Sequence, residues 1–163
     1  MSNFIIRIAG DDLLFSASHF ITFEGGACEA LHGHDFHVAA EAHGPLNPSQ
    51  YVADYTVLRD IIKGILKELD HRVLIPQNHP RMHLRTIGNE LEVAFGSRRW
   101  VLPNDDCVLL PVANTTDEML AQYLAERISQ ALSARNISLP KAIEVEVRES
   151  GGFAALYRLG GDE

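Results

Sequence analysis

Two stretches of the chain repeat apolar residues at intervals of three and four, and most of what surrounds them alternates with a period of two. In the first, Leu58, Ile61, Ile62, Ile65, Leu66 and Leu69 fall on one face of a helix that starts at an Asp54 N-cap and stops near Asp70 and His71. Gly64 inside it costs about 1 kcal/mol relative to Ala, which these anchors offset once packed. In the second, Thr115 and Glu118 form a capping-box pattern ahead of Leu120, Tyr123, Leu124, Ile128 and Leu132, predicting a helix from Thr115 to Ala134.

The strand candidates group around these helices. Asn3–Ala9 and Leu13–Ile21 flank Gly10-Asp11-Asp12 and read as a hairpin, and a long strand runs from His32 to about Ala42, ending at Gly44-Pro45. Arg81–Ile87, Glu90–Phe95, Arg98–Leu102 and Val108–Leu110 read as a β-meander, and Ala142–Glu149 with Phe153–Leu159 as a closing hairpin. The order strands, helix, strands, helix, strands predicts an α+β fold, an antiparallel sheet carrying two helices on one face.

At 163 residues and 46% apolar composition, residues 1–163 suffice for one core and are read as a single domain. The net charge of -8 repels nucleic acid and anionic membrane, and Arg98-Arg99, Arg81 and Arg85 read as solvated hairpin charges rather than a basic patch. Met1 to Gly10 lacks the pattern of a signal peptide and no stretch is apolar enough to span a bilayer, so a cytoplasmic protein with free thiols at Cys28 and Cys107 is expected.

His32 and His34 are two apart in a strand, so their side chains leave one face, with Gly33 between them. A catalytic zinc site takes three protein ligands and keeps one position open. His19, at the end of the preceding strand candidate, is the expected third, whereas His37 has the wrong parity. His43, His79 and His83 read as structural or exposed. Cys28, four residues before His32, would be held as a thiolate beside a dication and act as a base, and Glu29 is a second potential base. Asp70-His71 suits a proton relay, the carboxylate fixing the tautomer. Glu149 shares parity with Ile143, Val145 and Val147, so a carboxylate extends an inward apolar face and needs a cationic or amide-like partner there. Cys107 reads as a buried structural thiol.

Phe15-Ser16-Ala17-Ser18-His19, Cys28 to His34 as C-x-x-x-H-G-H, Asp70-His71, Thr116-Asp117-Glu118 and Val145 to Glu149 resemble the 6-pyruvoyltetrahydropterin synthase and 6-carboxytetrahydropterin synthase family, in family order. The resemblance implies a T-fold: a four-stranded antiparallel sheet with two helices, three subunits closing a barrel, two trimers forming a hexamer and the site lying between subunits. The stretch 76–112 looks like an inserted β-meander. On this resemblance His19, His32 and His34 bind Zn2+, Cys28 is the base, Asp70 and His71 shuttle protons, and Glu149 anchors the pterin. Thr116 and Glu118 help hold it, with Thr115 where Pro is usual. The implied substrate is 7,8-dihydroneopterin triphosphate and the first-ranked product 6-carboxy-5,6,7,8-tetrahydropterin, on a queuosine-type pathway. A dual or folate-type activity with Glu29 as retro-aldol base, forming 6-hydroxymethyl-7,8-dihydropterin, ranks second and 6-pyruvoyltetrahydropterin third. A pterin-binding protein without turnover and a structural zinc module with four protein ligands are the readings of other classes.

Overall fold

The computed structural model describes residues 3–161, so the outermost two residues at each end of the expected domain lie outside the described residues. Strand β3, His32–Gly44, is the longest element of the sheet at 13 residues and organises the others. The expected hairpin between the first two strands does not form. β1, Phe4–Ile8, and β2, Leu14–His19, instead lie end to end along the same edge of β3, Phe4 opposite Gly44 and His19 opposite His32. Residues 9–13 bulge opposite only Val38 and Ala39. Folding β1 back on β2 would leave one half of that long strand without backbone partners, and buried N–H and C=O groups do not stay unpaired.

On the other side of β3 lies β9, Ala142–Arg148, followed by β10, Ala154–Gly160, the closing hairpin as expected. Beyond β2 the sheet continues through two short parallel strands, β4, Arg72–Pro76, and β8, Cys107–Leu110. The sheet therefore has seven strands, and 107–110, expected in the meander, belongs to it instead. The inserted sheet proper is β5, His83–Ile87, β6, Glu90–Phe95, and β7, Arg98–Pro103. β4 runs as Val-Leu-Ile-Pro with no period-two alternation to announce it, because it is a short, buried parallel strand.

Helix α1, Tyr55–Leu69, buries the six predicted positions, and the Asp54 carboxylate accepts from the amides of Thr56 and Val57. Helix α2, Asp117–Ala134, starts later than predicted: Thr116, not Thr115, is its N-cap, accepting from the Met119 amide. Thr115 is fully buried, and its hydroxyl donates to the Phe20 carbonyl across the fold. Both helices pack on one face of the sheet around Phe15, Phe36, Val145 and Val147. Phe15 and Phe36 stack at 4.9 Å between ring centroids. Each such fully buried side chain contributes about 1.5–3 kcal/mol.

The opposite face is polar and pairs with itself. Arg7 bridges Glu41 at 3.0 Å and Glu146 at 2.9 Å, while His43 donates from Nε2 to Glu41 at 3.1 Å and accepts at Nδ1 from Arg158 at 3.2 Å. A second apolar cluster, Phe20, Ile75, Met82, Leu91, Val93 and Phe95, joins the inserted sheet to the main one. Phe36→Ala should destabilise the chain by about 3–5 kcal/mol and Asp54→Ala by about 1 kcal/mol, read from urea midpoints at constant slope.

Candidate metal centre

The β2–β3 register sets His19 opposite His32, with His34 opposite Ala17, and puts all three rings on the helix-covered face. Ring centroids lie 4.7 Å apart for His32 and His34, 4.9 Å for His19 and His32, and 5.3 Å for His19 and His34. One ligand atom from each comes within 4.8 Å of the others. Their second nitrogens fix the tautomers. His19 Nδ1 donates to the Thr115 carbonyl at 2.8 Å, and His32 Nδ1 donates to the Ala30 carbonyl at 2.7 Å. His19 Nε2 is left fully buried without a hydrogen-bond partner. A buried lone pair with no donor is costly, and a metal ion is the partner that removes the cost. Burial lowers the His19 pKa, with the Thr115 carbonyl pulling the other way, so the ring is held neutral as a ligand must be. Phe36 walls the cluster at 5.3 Å from His19 and 5.6 Å from His34. Three imidazoles with an open side fit zinc in its catalytic form. His37 points to the other sheet face, and His79 is occupied, donating to the Thr22 hydroxyl at 2.9 Å while accepting from the Arg81 amide.

Two carboxylates face the same hollow. Glu149 Oε2 is 3.5 Å from His34 Nε2 and Oε1 is 3.8 Å from His19 Nε2, so the predicted inward parity holds. Glu29 Oε2 lies 3.7 Å from His32 Nε2 and accepts from the Ile21 amide at 3.1 Å. Cys28, one residue earlier, turns the other way: its thiol donates to the Glu29 carbonyl at 3.2 Å and packs on the cluster under the inserted sheet. Burial pushes that thiol up, opposed by Arg98, so the protein groups around Cys28 do not by themselves hold a thiolate. Sequence reasoning gave no role to Asp117, whose carboxyl is pushed up to about 7 by burial first and the neighbouring Glu149 second. Its position between Thr116 and Glu118 on the first turn of α2 was visible, but its partner, 32 residues on, was not.

Not every predicted residue joins this cluster. Asp70 accepts from the Ser16 amide at 2.8 Å and sits 2.9 Å from His71 Nδ1, the dyad expected of a relay. The Ser16 amide, then His71, holds Asp70 below the usual carboxylate range. The His71 side chain is 82% exposed, however, and shares with His34 only a shallow cavity of about 350 Å³. The Thr116 hydroxyl is occupied by capping α2, and Glu118 is exposed.

The sequence profile of the 6-pyruvoyl tetrahydropterin synthase family matches residues 12–159. The chain belongs to this family of lyase-type pterin synthases. A Methanocaldococcus jannaschii protein provisionally named a 6-carboxy-5,6,7,8-tetrahydropterin synthase is 33% identical over 147 residues, 90% of either chain. The dihydroneopterin monophosphate aldolase of Pyrococcus furiosus is 38% identical over 60 residues, 37% of this chain and 50% of that one. The T-fold is shared with the 6-pyruvoyltetrahydropterin synthase of Plasmodium vivax, in a variant replacing a glutamate described as a catalytic residue, at a TM-score of 0.90 and 21% identity over 98% of this chain and 99% of that one. The inserted sheet is thus part of a shape found elsewhere in the family.

Zinc should bind at one equivalent per chain and stabilise it by about 2.7 kcal/mol at a hundredfold excess over Kd, whereas His32→Ala should lose the metal, as measured by elemental analysis and melting temperature. Asp117 contributes a separate pH dependence. Its folded pKa of about 7 exceeds the ordinary carboxylate value, so the folded chain keeps a proton that the unfolded chain releases. This contribution is full at acid pH and lost as pH rises through about 7. Metal-free Asp117→Asn should therefore lose less stability than the unsubstituted chain between about pH 5 and 8, by urea denaturation.

Proposed function

We propose that the chain is a zinc-dependent synthase acting on 7,8-dihydroneopterin triphosphate and releasing 6-carboxy-5,6,7,8-tetrahydropterin, the reaction named for its Methanocaldococcus jannaschii relative. The observation that carries this reading is the convergence of three imidazoles and two carboxylates, Glu29 and Glu149, on one hollow. His19, His32 and His34 would hold zinc, which supplies Lewis-acid chemistry to side-chain oxygens of the substrate.

The protein's own groups divide the remaining work. Glu149 takes the 2-amino group and adjacent ring N–H of the pterin as a two-pronged acceptor, as a carboxylate takes a guanidinium. The family resemblance gives Thr116 and Glu118, at the start of α2, a share in holding the pterin, which here would fall outside the imidazole cluster. Cys28 takes the side-chain proton, and Asp70 orients His71 to pass protons on. The exposure of His71 supports a dyad that serves the hollow of a neighbouring copy. Free outer edges on β10 and β8 support closure of three such sheets into a barrel and stacking of trimers into a hexamer. We place this single-domain protein in the cytoplasm, where its two unpaired thiols fit a reducing setting and the product would enter a queuosine-type pathway.

A second reading is favoured by one distance. Glu29, not Cys28, approaches the imidazoles, at 3.7 Å from His32. A carboxylate there suits retro-aldol cleavage to 6-hydroxymethyl-7,8-dihydropterin, and the catalytic glutamate of the Plasmodium vivax variant and the aldolase of Pyrococcus furiosus support it.

Product analysis after incubating zinc-loaded protein with 7,8-dihydroneopterin triphosphate tests both. Cys28→Ala should lower formation of the carboxy product by about 10²–10⁴-fold with zinc retained, and Glu29→Ala should remove any hydroxymethyl product selectively. Full rate in Cys28→Ala would reassign the base to Glu29.

A further inference from the structure

Arg98 lies on the inserted sheet, outside the metal centre, yet its Nη1 donates to the carbonyl oxygens of both Cys28, at 2.9 Å, and Glu29, at 2.8 Å. Its strand explains the reach. Arg98 and Trp100 share parity on β7, so both face the loop while Arg99 turns outward to Glu92. The guanidinium lies 5.2 Å from the centroid of the Trp100 ring, and Trp100 stacks at 4.4 Å on Phe20, the residue after His19. Gly26, at φ +89°, leaves open the space beside Arg81, which packs over Phe95. Arg98 thus bears on the loop and is more than the solvated hairpin charge expected, whereas Arg81 is exposed as expected.

The two carbonyls held by one cationic nitrogen belong to the peptides on either side of Glu29, the first of which is also held through its N–H by the Ile21 carbonyl. The relative orientation of these two peptides sets the φ and ψ of Glu29 and so the course of the loop at this point. With it fixed, Cys28 meets the apolar cluster and Glu29 meets His32. Besides the Ile21 amide that donates to the Glu29 carboxylate at 3.1 Å, the loop is tied by the amides of Phe23 and Glu29, bonded at 2.9 Å to the Ala27 and Ile21 carbonyls. Hydrogen bonds from a charged donor outweigh these neutral amide–carbonyl ones.

We propose that Arg98 is a positioning residue through which the inserted sheet fixes which of the two adjacent bases, Cys28 or Glu29, faces the metal centre. The consequence for rate and product rests on the function proposed above; the grip on the loop does not.

The test compares Arg98→Ala, Arg98→Lys and, as control, Arg99→Ala in zinc-loaded protein, by hydrogen exchange and by turnover. Arg98→Ala should speed amide exchange in residues 24–31 by about tenfold or more without changing exchange in β3 and β9 or the zinc content. It should lower kcat by about 10–100-fold with KM within about twofold, and shift the ratio of carboxy to hydroxymethyl product wherever both form. Arg98→Lys should recover part of each loss, and Arg99→Ala should match the unsubstituted chain. Unchanged exchange in 24–31 overturns the proposal whatever the pterin chemistry. Faster exchange with unchanged kcat and product ratio also overturns it. Faster exchange in a protein that turns over no pterin, even unsubstituted, supports the grip and sinks the proposed function alone.

Discussion

A fully buried imidazole must account for both of its nitrogens, and His19 accounts for one through the Thr115 carbonyl. That bond joins the end of β2 to the chain just before α2, elements almost a hundred residues apart in sequence. It also dictates that Nε2, not Nδ1, looks into the hollow where His32 and His34 arrive from the neighbouring strand. Thr115 secures the joint twice, since its hydroxyl donates to the Phe20 carbonyl at 3.1 Å. The start of α2, the inward Glu149 and the Asp117 beside it are all registered against this joint. The cluster is therefore preorganised by backbone carbonyls before any ligand is considered.

The helices, the histidine trio and the inward carboxylate were all legible in the sequence, because each depends on a local period: three and four for α1 and α2, two for His32, His34 and the run from Ile143 to Glu149. What escaped depends on partners far along the chain. β1 and β2 looked like a hairpin because their turn residues are good ones, but the strand waiting for both, β3, is named only by the register of the folded sheet. The capping pattern at Thr115 was shifted by one because a buried demand at Phe20 and His19 claimed that residue first. β4 and β8 carry too few residues to show any period, and Asp117 gained its role only from Glu149.

The loop from Glu24 to Leu31 shows how two adjacent side chains come to serve different surroundings. Cys28 belongs with the apolar cluster between the two sheets and Glu29 with the imidazoles. The loop carries two glycines at positive φ, Gly25 and Gly26, and its own amides and carbonyls close it through Phe23, Ala27 and Ile21, with further bonds supplied from outside. The inserted sheet supplies them, linking through Phe20 and Trp100 to the residue next to His19.

The polar face of the main sheet, with Arg7, Glu41, His43, Glu146 and Arg158 answering one another, has a bearing on how such a fold acquires strands. Because those side chains neutralise each other in place, that side can remain wet and needs no second layer above it. Where the sheet is lengthened by β4 and β8 that self-pairing ends, and the inserted sheet supplies the second layer over Val73, Ile75 and Cys107. A wall whose outer side is self-sufficient can carry added strands at its rim without disturbing the imidazole cluster at its middle.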